Sequence, residues 1–536
     1  MQKLLVSMAG LFLAAASVQA QLWPKDPTTT TAWRLDADSQ WLQEDGAMVL
    51  KVSVPPERAA GMHGASMKID LSPYYGKQIE VSCLSRHEKL SKPSRGYLGF
   101  KFMLSFLSKG SRQYPAGGGG LSLPADSDWR RVSFIVYNVP KDASEGLFNL
   151  GLQAGSGTAW FKELSIREVA VYPTVVELPE GFRCEYDDTV TKLPILRGCM
   201  SPGFGKKGAK AEDLEELARW GANVIRWQLD TPKEVCRDKE RYRAIFRRHM
   251  KNLDEHIPLL TRLGLNVIID MHRPPGGRYR DGIAGTAGAL AGNVAVNERN
   301  CVIFFEKDYL DLFVDTWREL ARHYRDVDIV VAYDLINEPT QYNEVPHDYL
   351  TCQYLAAQAI REIDPDKPII IAANEWSNPK AFAYLQPLPL KNLIYQGHMY
   401  EPGEYTHQGV GAGNMEKVLR GELLTYPGNI GGGHYDRETL RRLLHLIRDF
   451  QLKYGARIYI GEFSAIRFAP GAAQYIEDVI SLFEEYGWDW SYHAFREWHN
   501  WSVEHDENPH NNQPATSDTE RKKILLKYFS RNQKRP

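Results

Sequence analysis

Two glutamates stand at the ends of short apolar runs. One is Glu338 in Val331-Ala332-Tyr333-Asp334-Leu335-Ile336-Asn337-Glu338-Pro339; the other is Glu462 in Ala456-Arg457-Ile458-Tyr459-Ile460-Gly461-Glu462-Phe463. Each run has the length of a buried strand, and Pro339 prevents the first from continuing. A carboxylate delivered at the tip of a buried strand sits at the mouth of a sheet, where barrel enzymes keep their chemistry. Two such groups, one protonated while the other is ionised, are the acid/base and the nucleophile required to cleave a glycosidic bond with retention. A single glutamate of this kind reads equally well as a solvated loop carboxylate. The pair in one repeating frame reads as catalytic.

That frame begins at Ile195. Leu214, Leu217 and Ala218 share a helical face that Gly221 stops, and Asn223-Val224-Ile225-Arg226-Trp227 follows as a strand. The unit recurs with Phe246, Met250, Leu253, Ile257 and Leu260 before Asn266-Val267-Ile268-Ile269-Asp270-Met271-His272, and again with Leu310, Phe313, Trp317, Leu320 and Tyr324 before the Glu338 run. Pro368 to Ala373, Asn392 to His398, the Glu462 run and Asp489 to Tyr492 continue it, and Ile195 to Cys199 supplies the first strand. Eight alternations predict a (β/α)8 TIM barrel over 195–536, with a doubly wound open sheet as the weaker alternative. Arg226, His272, Asn337, His398 and Tyr400 fall at strand ends beside the two glutamates, and a shared face is what makes them a site. Two connections, Arg273 to Asn300 and Glu401 to Tyr435, are long and glycine-rich and are expected as flexible loops over the mouth. Gly409-Val410-Gly411-Ala412-Gly413 within the second lacks the strand-helix frame of a nucleotide fingerprint.

The chain before the barrel has another rhythm. Met48 to Val54, Ile79 to Cys83, Gly99 to Leu104 and Arg131 to Val136 are short alternating runs broken by Gly, Ser and Pro. They predict an all-β sandwich over 21–172, with 173–194 as a linker carrying Pro173, Pro179 and Pro194. Gly117 to Gly120 is expected as a loop tip. Lys3, the apolar run Leu4 to Ala16 and Ser17-Val18-Gln19-Ala20 predict a secretory leader over 1–20, and hence export to the periplasm or the exterior. With 536 residues and a formal net charge of −2, two or three domains are expected, with no reason to invoke nucleic acid or an anionic membrane as partner. No later run is long enough to span a bilayer. The six cysteines are scattered without a CxxC pair or a Cys/His cluster, so they are expected as buried thiols and no metal or cofactor is expected. Oligomeric state is not legible.

Two resemblances follow from these stretches. Leu150 to Ile166, with Gly155-Ser156-Gly157-Thr158-Ala159-Trp160-Phe161, resembles the closing strands of jelly-roll carbohydrate-binding modules of the family 4, 9 and 22 type. Ile336-Asn337-Glu338-Pro339, His398-Met399-Tyr400 and Ile460-Gly461-Glu462-Phe463 resemble glycoside hydrolase family 5, in the retaining clan A. The second resemblance implies Glu338 as acid/base, Glu462 as nucleophile and Asn337 on the sugar 2-hydroxyl. It also implies Tyr400 bonded to the nucleophile, with Arg226, His272 and His398 completing the polar cradle. The family usually ends its eighth strand in a tryptophan beneath the sugar. Here His493 aligns with it in Trp490-Ser491-Tyr492-His493-Ala494-Phe495-Arg496-Glu497-Trp498, so the expected platform is either His493 or Trp498. The expected partner is a polysaccharide or oligosaccharide with β-linkages, β-1,4-glucan favoured. A β-mannan- or xyloglucan-directed hydrolase, a transglycosylase and a non-catalytic binding protein are the alternatives.

Overall fold

The computed structural model describes residues 22–91, 98–108, 110–114, 125–136, 139–169, 174–201, 209–278, 300–341, 345–410 and 412–532. The leader, the Gly117 to Gly120 tip and most of the connection after the third barrel strand lie outside them.

Eight parallel strands close into a barrel: Arg197–Met200, Val224–Gln228, Asn266–Asp270, Val330–Asp334, Ile369–Ala372, Leu393–Met399, Arg457–Phe463 and Asp489–Tyr492. Their outward side chains pack on helices that include Ala211–Arg219, Lys239–Leu263, Lys307–Tyr324, Tyr349–Arg361, Arg437–Tyr454 and Ala472–Tyr486. Gly264 and Gly455 end two of these helices in the left-handed conformation that glycine adopts without strain. Inside the barrel a second apolar layer contains Leu196, Val224, Ile268, Ala332, Ile370, Ile394 and Tyr459. Strand side chains alternate with period two, so the residue two places beyond this layer also points inward. Four of those residues are polar, Arg226, Asp270, Asp334 and Gln396, all fully buried; the other three are Gly198, Ala372 and Gly461. The alternation that fills the core therefore also builds a polar layer above it.

The stretch 174–194, expected as a linker, is tied to the barrel. The Val175 amide donates to Gln386 at 2.9 Å, the Asn392 amide donates to the Glu185 carbonyl at 2.8 Å, and Arg183 donates to the Leu452 carbonyl at 2.9 Å. The second long connection is also ordered: Ala412–Leu419 is a helix, and Gly428–Ile430 pairs with Gly433–Tyr435. Gly431 and Gly432, both with positive φ, turn the chain between those two strands.

The N-terminal unit is all-β. Two antiparallel sheets of five strands each share one core, in which Val52, Val81, Phe134 and Phe161 of one sheet meet Ala65, Phe102, Phe148 and Leu150 of the other. All six cysteines are free; five are buried and Cys184 is partly so. No helix among the described residues is long and apolar enough to cross a membrane.

Candidate active site

The polar layer converges on Arg226. Its guanidinium lies 3.0 Å from Asp270 Oδ1, 2.8 Å from Asp334 Oδ2 and 2.9 Å from Glu462 Oε1, and it also donates to Asn337 Oδ1 at 3.0 Å. A planar fork of five donors suits such a junction, where a lysine could not satisfy all four partners. Burial and then the charge of Asp270 oppose the ionisation of Asp334, against the pull of Arg226, and its carboxyl is pushed up to about 7. Gln396 donates to Asp334 at 3.1 Å from the sixth strand.

Glu462 lies inside the seventh strand. Besides Arg226 it meets Tyr400, whose hydroxyl donates to Oε2 at 3.0 Å. Burial alone would favour its neutral form, but His398, His493 and Arg226 outweigh burial and hold Glu462 well below the usual carboxylate range. Gly461 precedes it for a steric reason: a Cβ there would stand 2.1 Å from Gln396 Oε1 and 3.0 Å from His398 Nε2. Any side chain at this spot would thus collide with the polar layer.

Glu338 is placed differently from the sequence reading. The fourth strand ends at Asp334, and Glu338 sits four residues beyond it with φ 49°, a left-handed conformation costly for a residue with a side chain. The turn aims its carboxylate back over the mouth, where Oε1 meets His398 Nδ1 at 3.2 Å and Oε2 lies 3.6 Å from Arg278. One oxygen of Glu338, one of Glu462 and a ring nitrogen of His398 all lie within 4.8 Å of one another. Among the described residues this trio and Asp36, Asp38 and His63 in the sandwich are the groupings with metal-ligand spacing. Protein donors already meet Glu462 in the first, from Arg226 and Tyr400, and the two aspartates in the second, from the Gly64 amide, Ser39 and Arg58.

His272, two residues past the third strand, donates from Nδ1 to Asp270 Oδ2 (2.9 Å), and its Nε2 approaches Asn337 Nδ2 at 3.4 Å. These residues open onto one cavity of about 490 Å³, which Glu338, Glu462, His398, Tyr400, His272, Asn337 and His493 all line. Trp498 does not line it. Its place is taken by Trp501, which stacks on Tyr400 with ring centroids 5.7 Å apart and touches Trp498 from behind at 5.1 Å. In the loop after the eighth strand it is the later tryptophan that reaches the mouth. Trp376 and Glu375 also line the cavity, on consecutive positive-φ residues after the fifth strand. The Arg278 guanidinium covers Trp376 at 3.7 Å from the ring centroid. Trp376 and Glu375 belong to no periodic pattern in the sequence; the Asn374-Glu375-Trp376 string directly after an apolar strand is the signal that marks them.

A closed eight-stranded barrel with paired glutamates at its mouth is one architecture of the glycoside hydrolases, and the cellulase model of glycosyl hydrolase family 5 matches residues 186–513. The chain belongs to that family and is a glycoside hydrolase of the β-glycosidase class. It is similar to endoglucanase C of Acetivibrio thermocellus, 25% identical over 304 residues that cover 52% of this chain and 83% of the relative. It is also similar to cellodextrinase A of Ruminococcus flavefaciens, 23% identical over 287 residues that cover 52% of this chain and 76% of that protein. Among solved structures, that of Thermotoga maritima Cel5A with cellobiose, in a mutant form, matches with a TM-score of 0.45 and 21% identity, covering 62% of this chain and 96% of the other.

Proposed function

We propose that the protein is a retaining β-glycosidase acting on β-1,4-glucan or its oligosaccharides, with Glu462 as nucleophile and Glu338 as acid/base. The observation that carries this reading is the approach of the two carboxylates to within 4.8 Å across the mouth of the barrel. Retaining enzymes keep the groups about 5–5.5 Å apart, whereas inverting ones leave about 6.5–9.5 Å for a water. Glu462, paired with Arg226 and holding its charge, attacks the anomeric carbon as Glu338 protonates the departing oxygen. The glycosyl ester on Glu462 is then hydrolysed by water that Glu338 deprotonates. Asn337, fixed by Arg226 and near His272, is placed to meet the 2-hydroxyl as positive charge grows on the ring. The names of the relatives, an endoglucanase and a cellodextrinase, support a glucan substrate. The sandwich is proposed to hold polymer near the barrel through its jelly-roll likeness, and export is proposed on the leader at 1–20.

A 2-deoxy-2-fluoro glycoside with a good leaving group tests the mechanism. Mass spectrometry of peptides should find the sugar on Glu462, and NMR of fresh product should show the β-anomer. An α-anomer as first product, or a label on another residue, overturns the assignment. A polysaccharide panel read by reducing-sugar release tests the substrate, with mannan or xyloglucan turned over faster than glucan as the contrary result.

A further inference from the structure

His493 occupies the position where a tryptophan platform was expected, and its surroundings are not those of a platform. Its ring is 14% exposed as a side chain and has an acceptor at each nitrogen. Nε2 lies 3.2 Å from Glu497 Oε2, an oxygen that also accepts from Gln228 Nε2 at 3.0 Å. Nδ1 lies 2.6 Å from the Tyr400 hydroxyl and 3.3 Å from Glu462 Oε2.

Proton counting decides what this arrangement does. An ionised carboxylate only accepts, and a phenol has one proton and two lone pairs. Burial, followed by the charges of Glu462 and Glu338, pushes the Tyr400 phenol well above its ordinary value, so it keeps that proton. If the phenol donates to Glu462, its oxygen must receive a proton from Nδ1, and Nε2 must donate to Glu497. Both ring nitrogens then carry hydrogen. A neutral ring protonated only on Nε2 would instead draw the phenol proton to Nδ1 and leave Glu462 Oε2 without that donor.

We propose that His493 is a positioning residue of the reaction: an imidazolium, anchored by Glu497, that compels Tyr400 to donate its hydroxyl proton to Glu462. The proposal rests on Glu462 being the nucleophile. Its consequence is a nucleophile flanked by cations on two sides, Arg226 at Oε1 and the imidazolium beside Oε2. Such a carboxylate stays charged in acid and departs readily from the glycosyl ester. The floor of the site is then ionic where an indole would be apolar. Burial opposes the charge on His493, but Glu462 and Glu497 outweigh it and push the ring up to about 10. The titratable groups facing this ring from the packed elements are Glu462 of the seventh strand, Tyr400 after the sixth and Glu497 of its own loop. His407 and His272 lie in the next circle and act on the same charges.

The test has two arms. Full-length protein labelled with ¹⁵N-histidine is followed by long-range ¹H–¹⁵N correlation, with His493 identified by its disappearance in His493→Gln. Both ring nitrogens should report protonation from pH 6 to 8, and Glu497→Gln should lower the pH at which the ring loses its proton. The second arm is the pH profile of kcat/KM on an aryl β-glycoside. Glu462 must be ionised to attack, so removing the cation in His493→Gln raises its pKa and moves the acidic limb upward by about one pH unit, roughly a tenfold loss on that limb with KM little changed. A neutral ring at pH 7, or a folded His493→Gln enzyme with an unmoved acidic limb, overturns the proposal. If His493→Gln does not fold, the ring whose titration moves most in Glu497→Gln identifies His493, and its protonation state in the unmutated protein still decides. Failure of the underlying reading appears separately, as a fluoro-sugar label on a residue other than Glu462.

Discussion

At the scale of single residues, the two glutamates are distinguished by what holds them. Glu462 is fixed inside a strand by Arg226 and Tyr400; Glu338 sits on a strained turn with His398 on one side and Arg278 on the other. The chemistry of the variants should therefore differ. Glu462→Ala should abolish turnover of every substrate, because no other group forms the glycosyl ester. Glu338→Ala should still glycosylate from an aryl glycoside with a good leaving group, then stall for lack of a base. Azide needs no base, so it should rescue Glu338→Ala with a β-azide product and Glu462→Ala with an α-azide product. NMR of the products checks this, and the reverse stereochemistry would exchange the two roles. Both glutamates were legible in the sequence because each closes an apolar run. Asp334, in the Glu338 run, and Asp270, in the strand before it, were not, since only their inward register two places past the apolar layer reveals them as partners of Arg226. Trp501 was hidden for another reason: nothing local tells which of two tryptophans three residues apart a long loop turns inward.

At the scale of elements, the repeating strand and helix units were readable because amphipathic helices and apolar strands have distinct periods. The connection after the eighth strand has no period, and a buried scaffold shapes it instead. Arg467 donates to the carbonyls of Asp506, Asn508 and Asn511 at 2.6–2.7 Å. Arg521 donates to the Ser502 carbonyl at 2.8 Å and to that of His505. Both guanidinium groups are essentially inaccessible, so their energy comes from charge-assisted bonds to backbone and not from ion pairs in water. Trp501 stands next to this anchored stretch and backs Tyr400. Arg521→Met keeps the bulk but leaves the buried Ser502 carbonyl and the half-buried His505 carbonyl without this donor, which should cost about 2–3 kcal/mol. Denaturant unfolding should show that loss, and kinetics should show a higher KM on oligosaccharides as the Trp501 face loosens. An unchanged midpoint would mean that water replaces the guanidinium without penalty.

At the scale of the whole molecule, the sandwich and the barrel each close a core of their own among the described residues. The sandwich core draws only on residues from Leu22 to Ile166, and the core between strands and helices of the barrel has its buried members between Cys199 and Phe529. Neither core needs a side chain from the other, so the units should fold separately. Where to cut is decided by the stretch once expected to be a linker. The Tyr186 hydroxyl donates to the Leu393 carbonyl at 2.9 Å and accepts from the Arg457 amide at 2.7 Å. The Arg457 guanidinium donates to the carbonyls of Val190, Leu193 and Pro194 at 2.7–3.0 Å while pairing with Asp489. These bonds lock the seventh and eighth strands at the end of the barrel away from the site. A chain beginning at Thr174 keeps all of them; a chain beginning at Ile195 strips Arg457 of three acceptors and exposes the ends of two strands. The 174–536 barrel should be soluble, unfold cooperatively and turn over an aryl glycoside with nearly the full-length kcat, while its action on polymer falls if the sandwich binds carbohydrate. The 195–536 barrel should unfold at a clearly lower temperature or aggregate. Calorimetry of the two truncations beside the full chain measures the difference. Equal melting temperatures would show that residues 174–194 merely connect, and an insoluble 174–536 chain would show that the sandwich supports the barrel.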